Sequence, residues 1–112
     1  MILTRTFKLT GFCALLAALQ PADAGADEAA LTLGKTVFLE AAEPQCAVCH
    51  TLADAGSAGE VGPILDELKP DAERVTAAVS NGIGIMPAYE RLTKEQINAV
   101  ALYVSTVAGK PK

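Results

Sequence analysis

The stretch Gln45-Cys46-Ala47-Val48-Cys49-His50-Thr51 carries the residues that decide what this chain binds and how it folds. His50 is the only histidine in the 112 residues, and it directly follows two cysteines separated by two residues. A disulfide between Cys46 and Cys49 would close a very short loop, so it would stabilise a fold little. The cluster therefore needs a chemical purpose other than cross-linking.

The first 24 residues have the features of a secretory signal peptide. Arg5 and Lys8 give a positive start, and residues 9–19 form an apolar run too short to span a bilayer as a helix. Ala22-Asp23-Ala24 fits a small-x-small cleavage site. We predict a leader over 1–24, cleaved after about Ala24, and one domain over 25–112. The alternative is an uncleaved membrane anchor, whereas cleavage leaves a soluble periplasmic protein with no stable membrane insertion.

Charge and composition limit the partners. The formal net charge is −4, and the chain stays acidic when the two basic leader residues are removed. Phosphate binding requires a basic face, so nucleic acid is not an expected partner, whereas basic patches on other proteins are. Aromatic residues make up 4% of the chain and tryptophan is absent, so a domain this small needs something else to fill its core.

Hydrophobic spacing and helix-end signals predict an all-α domain with no strand. Gly-rich loops are expected over 53–63 and 81–89, and loops this long are unusual in a small domain unless they have a function. The first helix contains Gly34, which costs about 1 kcal/mol relative to alanine. Asp71 is a candidate N-cap, Gly82 a helix stop and Thr93 the start of a capping box. The predicted helices are Asp27–Ala42, 64–68, a segment that Pro70-Asp71 opens and Gly82 stops, and a segment from Thr93 to a stop at Gly109.

The cysteine cluster has three chemical interpretations. C-x-x-C-H is the attachment signature of c-type haem, in which both thiols form thioethers and the histidine ligates the iron. A dithiol redox pair normally lies beside a βαβ pattern, which this chain lacks. A zinc site needs further ligands, and no cysteine or histidine follows the cluster. Haem, which would also fill the core, is favoured over the dithiol and zinc alternatives.

Met86 is the candidate for the second axial ligand. It is the only methionine after the initiator, and it lies before Pro87 in a loop that also contains Gly82 and Gly84. A thioether opposite histidine raises the potential of haem iron, as electron-transfer cytochromes require. The alternatives are a core methionine, a lysine such as Lys69 as ligand, or an open site.

Two further residues are candidates for supporting roles. A ligating histidine usually donates its other N–H group to a carbonyl, and the carbonyl of Pro63 is the candidate acceptor for His50, the alternative being an ordinary turn. Tyr89 either donates to a haem propionate or packs, and the sequence does not choose between these roles.

These pieces together resemble the class I c-type cytochromes over residues 29–108. The motifs that carry the resemblance, in chain order, are a helix with Gly34 and Phe38, C46-A-V-C49-H50, Gly62-Pro63 with Leu65, N81-G82 before Met86-Pro87, and a last helix with Leu102-Tyr103-Val104. The resemblance implies the fold of that family, with its first and last helices crossing where Gly34 meets Tyr103. It also implies one haem c attached through Cys46 and Cys49, with His50 and Met86 as axial ligands and Pro63 and Leu65 beside it.

The expected function is that of a monohaem electron carrier and not of an enzyme. Two strong axial ligands leave no position for a substrate, and the chain has no second histidine to act as a distal base. The segment from Gly62 to Val104 resembles small periplasmic cytochromes, including some that accept electrons from sulfite dehydrogenases. The expected partners are such a dehydrogenase and a respiratory acceptor, an oxidase or another cytochrome, and the free chain is expected to be a monomer. The alternatives are a permanently bound haem subunit and a haem peroxidase or ligand-binding protein with a labile sixth position.

Overall fold

The computed structural model describes residues 24–111 and the single residue 11. The predicted leader therefore lies almost wholly outside the described residues. Within these residues, five α-helices and two very short strands follow one another. They are α1 (Ala24–Thr36), continued by a π-helical turn (Val37–Ala41), α2 (Cys46–Cys49), β1 (Thr51–Leu52), a 3-10 turn (Ala53–Ala55), β2 (Ser57–Ala58), α3 (Leu65–Leu68), α4 (Ala72–Asn81) and α5 (Lys94–Val107). Among the described residues, none of the helices combines the length and apolar character needed to cross a membrane.

The prediction of a strandless chain is wrong in one detail. β1 and β2 pair antiparallel, with Thr51 opposite Ala58 and Leu52 opposite Ser57. The hydroxyl of Ser57 accepts from the backbone N–H of Leu52 at 3.0 Å and donates to the carbonyl of His50 at 2.9 Å. Two-residue strands are too short to show an alternating pattern, so no sequence signal marks them. The domain is otherwise helical, as predicted.

The helix ends follow the predicted local chemistry. The carboxylate of Asp71 accepts from the backbone N–H of Arg74 at 2.7 Å and caps α4, which ends at Gly82 with a left-handed φ of 72°. Thr93 and Gln96 form both hydrogen bonds of a capping box at the start of α5, at 2.9 and 3.1 Å. These caps are confirmed, and they fix where α4 and α5 begin.

The first and last helices cross at Gly34. A Cβ atom added there would meet the carbonyl oxygen of Ala99 and would lie 2.5 Å from the Cβ of Tyr103. Real side-chain atoms do not approach so closely, so only glycine allows the backbones of α1 and α5 this contact. The close approach of Gly34 and Tyr103 that the resemblance implies is confirmed.

The aromatic side chains of the core lie beside this crossing. The rings of Phe38 and Tyr103 are both buried and meet edge to face, with centroids 6.1 Å apart. The hydroxyl of Tyr103 donates to the carboxylate of Asp54 at 2.6 Å, and Lys35 reaches the same carboxylate at 3.3 Å. Burial is the largest cause that raises the pKa of Tyr103 well above its usual value, and the hydrogen bond to Asp54 is the second. The hydroxyl therefore remains a donor. This network ties α1, the 3-10 turn and α5 together.

Asp66 fixes the position of α3. One carboxylate oxygen accepts from the backbone N–H of Ala53 at 2.8 Å, and the other accepts from Gly109 at 2.9 Å. The Asp66 carboxylate therefore joins α3 to the 3-10 turn and to the residues that follow α5. Because Pro63 lies three residues before Asp66 and Leu65 directly before it, this attachment also restrains the loop that faces His50.

Candidate functional site

One helical turn presents the cysteine cluster. α2 begins after Gln45, and the backbone N–H of His50 donates to the carbonyl of Cys46 at 2.9 Å. His50 itself is extended, with φ −117° and ψ 140°, so the helix stops there and the imidazole leaves the turn. Cys46 is buried and Cys49 half-buried, and the two thiols are not joined in a disulfide.

The environment of Cys46 does not suit a reactive dithiol. Burial raises the pKa of the Cys46 thiol from 9.0 to about 11, a backbone hydrogen bond opposes the shift, and the neighbouring Cys49 adds to it. Dithiol redox centres depend on a thiol whose pKa is lowered, because the thiolate is the nucleophile. The arrangement therefore favours thiols that serve as covalent attachment points.

A zinc site finds no ligand set in the part of the chain that the structure describes. No three side chains of His, Cys, Asp or Glu gather there in positions suited to one ion. Structural zinc takes four such ligands, and catalytic zinc three with a water. The cluster alone supplies at most Cys46, Cys49 and His50, which are too close together in the chain to surround an ion.

The imidazole of His50 is held on two sides. Its Nδ1 lies 2.8 Å from the carbonyl oxygen of Pro63, at hydrogen-bonding distance. Gly62 lies against the ring, because a Cβ added there would be 2.5 Å from Cε1. The backbone N–H of Gly62 in turn donates to the carbonyl of Cys49 at 2.7 Å. The hydrogen bond expected between His50 and Pro63 is thus present, and it leaves Nε2 as the free ring nitrogen.

Met86 sits in a tightly closed loop. Ile83 and Met86 exchange two backbone hydrogen bonds of 3.0 Å, with Gly84 at a left-handed φ of 57° between them. A Cβ added at Gly82 would lie 2.8 Å from the carbonyl oxygen of Met86, so the backbone can pass only because this residue is glycine. This loop, whose sequence shows no helical pattern, therefore holds the thioether side chain of Met86 in a fixed place.

Tyr89 fastens this loop to the segment before the cysteines. Its backbone N–H donates to the carbonyl of Val79 at 2.9 Å, and its hydroxyl donates to the carbonyl of Pro44 at 2.8 Å. Burial is the main cause that raises the pKa of Tyr89 to about 12, so the hydroxyl stays protonated. Of the two roles left open by the sequence, this contact favours packing and tethering over binding a propionate.

A cavity of about 370 Å³ lies between these supports, within the range of about 300–1,000 Å³ usual for small-molecule sites. His50 and Met86 both line it, as do Cys46, Pro63 and Leu65. Most of the other lining side chains are apolar, which suits a large flat apolar ring. The remaining lining residues are Phe38, Leu68, Pro70, Arg74, Val75, Ala77, Ala78, Val79, Asn81, Gly82, Ile83, Val100 and Val104.

Haem therefore fits the residues that surround this cavity. Cys46 supplies a thiol at the wall, a free imidazole nitrogen and a thioether are available at the same cavity, and most of the other lining residues are apolar. Cys49 does not line the cavity, but it is half-buried one helical turn after Cys46. The contributions of α4 and α5 to the cavity were not predicted, although Val75 and Val79 lie four residues apart, which is the spacing of one helix face.

Comparison with known proteins agrees with this site. The family described as cytochrome c oxidase, cbb3-type, subunit III matches residues 29–104. Cytochrome c6 of Leptolyngbya boryana is 36% identical over 74 residues, which are 58% of this chain and 82% of the relative. Cytochrome c6 of Bryopsis maxima is 36% identical over 85 residues, which are 66% of this chain and 88% of the relative. The chain is a class I c-type cytochrome.

A solved structure gives the same result for this cytochrome. The c-type cytochrome SorU from Sinorhizobium meliloti is 73% identical and superposes with a TM-score of 0.73. The match covers 74% of this chain and 95% of the other. The cofactor is accordingly haem c, covalently bound, and Cys46 and Cys49 have the spacing that attachment requires. The protein is an electron carrier and not an enzyme.

Proposed function

We propose that this cytochrome is a periplasmic carrier that accepts single electrons from a sulfite dehydrogenase and passes them to a respiratory acceptor. The observation that carries the proposal is that one apolar cavity is lined by both His50 and Met86. Haem c supplies a one-electron redox centre there, and the residues of the chain determine its ligands, potential and exposure.

His50 and Met86 are the proposed axial ligands. The contact between Nδ1 of His50 and the Pro63 carbonyl leaves Nε2 free to hold the haem iron, and it would make the imidazole a stronger ligand. The lining residues among the described part of the chain include no lysine, which argues against the alternative of a lysine ligand. The side chain of Lys69 lies instead against Gly109, because a Cβ atom added at Gly109 would be 3.1 Å from Cδ of Lys69.

The supports around these ligands favour fast electron transfer. Gly62 and Pro63 hold the imidazole, while Ile83, Gly82 and the tether at Tyr89 hold the loop of Met86. A site that keeps the same ligands in the same places in both oxidation states reorganises little. Leu65 is buried and belongs to the apolar part of the cavity lining.

The proposed electron donor and location rest on the similarity of this chain to other cytochromes and on its acidic charge. The relative SorU is 73% identical to this chain, and the segment from Gly62 to Val104 resembles cytochromes that accept electrons from sulfite dehydrogenases. The proposed leader over 1–24 would export the chain to the periplasm. An acidic carrier suits a donor with a basic docking surface, and small, weak contacts are usual between redox partners. We also propose that the free carrier is a monomer.

A permanently bound subunit is the second candidate. It is favoured by the description of the matching family, which names subunit III of an oxidase. A shuttle and a subunit differ in how they bind: the shuttle forms brief, salt-sensitive contacts, whereas the subunit stays in its complex.

Reduction kinetics with a purified sulfite dehydrogenase distinguish the two. With sulfite present, we expect the rate of cytochrome reduction to fall several-fold between about 20 and 300 mM salt, because attraction between opposite charges is screened. The two proteins should separate during gel filtration. A dehydrogenase of another substrate class serves as the control donor and should reduce the cytochrome far more slowly. Co-elution in a fixed ratio with no effect of salt would support the subunit instead, and equal rates with both donors would reject the sulfite assignment.

A further inference from the structure

We propose that Arg74 binds a propionate group of the haem. Arg74 is the only lysine or arginine among the residues that line the cavity in the described part of the chain. The inference rests on haem occupying this cavity, and it depends neither on Met86 as a ligand nor on the identity of the donor.

The position of Arg74 suits a ligand that is apolar in one part and charged in another. Arg74 belongs to the first turn of α4 and is exposed, and it also lines the cavity, so it stands where the cavity meets solvent. The backbone of this turn is fixed by the capping carboxylate of Asp71. A flat ring buried among apolar side chains must bring its carboxylates to such a place, because burying an unpaired charge is costly.

The guanidinium of Arg74 is available for this contact. The ion pair found among residues 24–111 joins Lys35 to Asp54, and it does not involve Arg74. A guanidinium presents paired N–H donors in one plane, which match the two oxygens of a carboxylate better than an ammonium does. Lys35 and Lys69 do not line the cavity. Lys35 is bound to Asp54, and Lys69 lies against Gly109.

Few other titratable groups face this part of the cavity. Asp71 and Glu73 flank Arg74 on its own helix and are both exposed. From other elements, Cys46 and His50 line the cavity, and the attached haem uses both of them. A change with pH that appears only when Arg74 is replaced would therefore report a propionate.

The test compares Arg74→Gln with Arg91→Gln, which removes the same charge from an exposed residue outside the cavity. Reduction potentials of the holoproteins would be measured from pH 5 to 9. At high pH, Arg74→Gln should lower the equilibrium constant for reduction about tenfold, because an unpaired carboxylate favours the oxidised iron. This loss should shrink as the pH falls and the propionate takes up a proton. Arg91→Gln should change the constant less than about twofold at every pH, since an exposed charge is screened.

Two additional readouts separate binding from a general structural effect. Infrared difference spectra between the redox states should show a protonated carboxyl band for Arg74→Gln at low pH and none for the wild type. Arg74→Lys should restore most of the potential that Arg74→Gln loses, since lysine keeps the positive charge although it lacks the paired N–H donors of the guanidinium. If Arg74→Gln and Arg91→Gln give the same potentials at every pH, the proposal is overturned. A wild-type protein without bound haem would instead show that the cofactor assignment has failed.

Discussion

Replacing Met86 with alanine should lower the reduction potential strongly and convert low-spin iron to high-spin iron. Removing the thioether leaves His50 as the only strong protein ligand from the cavity lining, because the described lining residues include no lysine and their other sulfur, Cys46, is used to attach the haem. Axial ligands set haem potentials over roughly 0.8 V, and His/Met pairs lie toward the high end. We therefore expect a drop that is a sizeable part of that range, measured by spectroelectrochemical titration.

Ile85→Ala is the matched control for Met86→Ala. Ile85 is the neighbouring residue in the same loop, but its side chain is 83% exposed and does not line the cavity. It should leave the potential and the spectrum unchanged. If Met86→Ala keeps the wild-type potential and spin state, Met86 is not a ligand and the proposed axial pair is wrong.

Gly34→Ala should destabilise the fold, whereas a methyl group added at Gly25, the other glycine of the first helix, should not. The added Cβ would meet the backbone carbonyl of Ala99 and the Cβ of Tyr103, neither of which is the flexible end of a side chain. Overpacking costs about 1–3 kcal/mol and occasionally more, while alanine regains about 1 kcal/mol of helix propensity. We expect a net loss of roughly 2 kcal/mol in the free energy of unfolding, measured by urea denaturation of the holoprotein.

Gly25→Ala is the control for Gly34→Ala, since both residues lie in α1. A Cβ added at Gly25 meets nothing within 4 Å, and Gly25 would begin the chain after the proposed cleavage, so this variant adds a methyl group without a clash. It should be as stable as the wild type or slightly more stable. Equal stability of the two variants would show that α1 and α5 do not meet at Gly34 as closely as the structure indicates.

Local chemistry explains which parts of the fold were predictable. Asp71, Gly82 and Thr93 act within a few residues of themselves, so the ends of α4 and α5 could be read from sequence. The contact of Gly34 with Tyr103 joins residues far apart, and only the resemblance to the class I c-type cytochromes supplied it. β1 and β2 left no signal, because two residues cannot display an alternating pattern.

The candidate site divides in the same way. The spacing of Cys46, Cys49 and His50 is a local motif, and the sequence therefore located the cofactor. Tyr89 could not be assigned, because its acceptor Pro44 lies 45 residues earlier in the chain. The place of Arg74 at the cavity was also hidden, since an arginine in the first turn of a helix normally reads as a solvated surface residue.

The visible spectrum of the holoprotein tests the central claim most directly. The chain would be produced with a haem-attachment system and recorded oxidised and reduced, and then extracted under denaturing conditions. Our account predicts haem that stays on the polypeptide, a low-spin spectrum in both states, and the long-wavelength band of a thioether-to-iron bond when oxidised. Haem that is extracted freely, or attached haem with a high-spin spectrum, would contradict it.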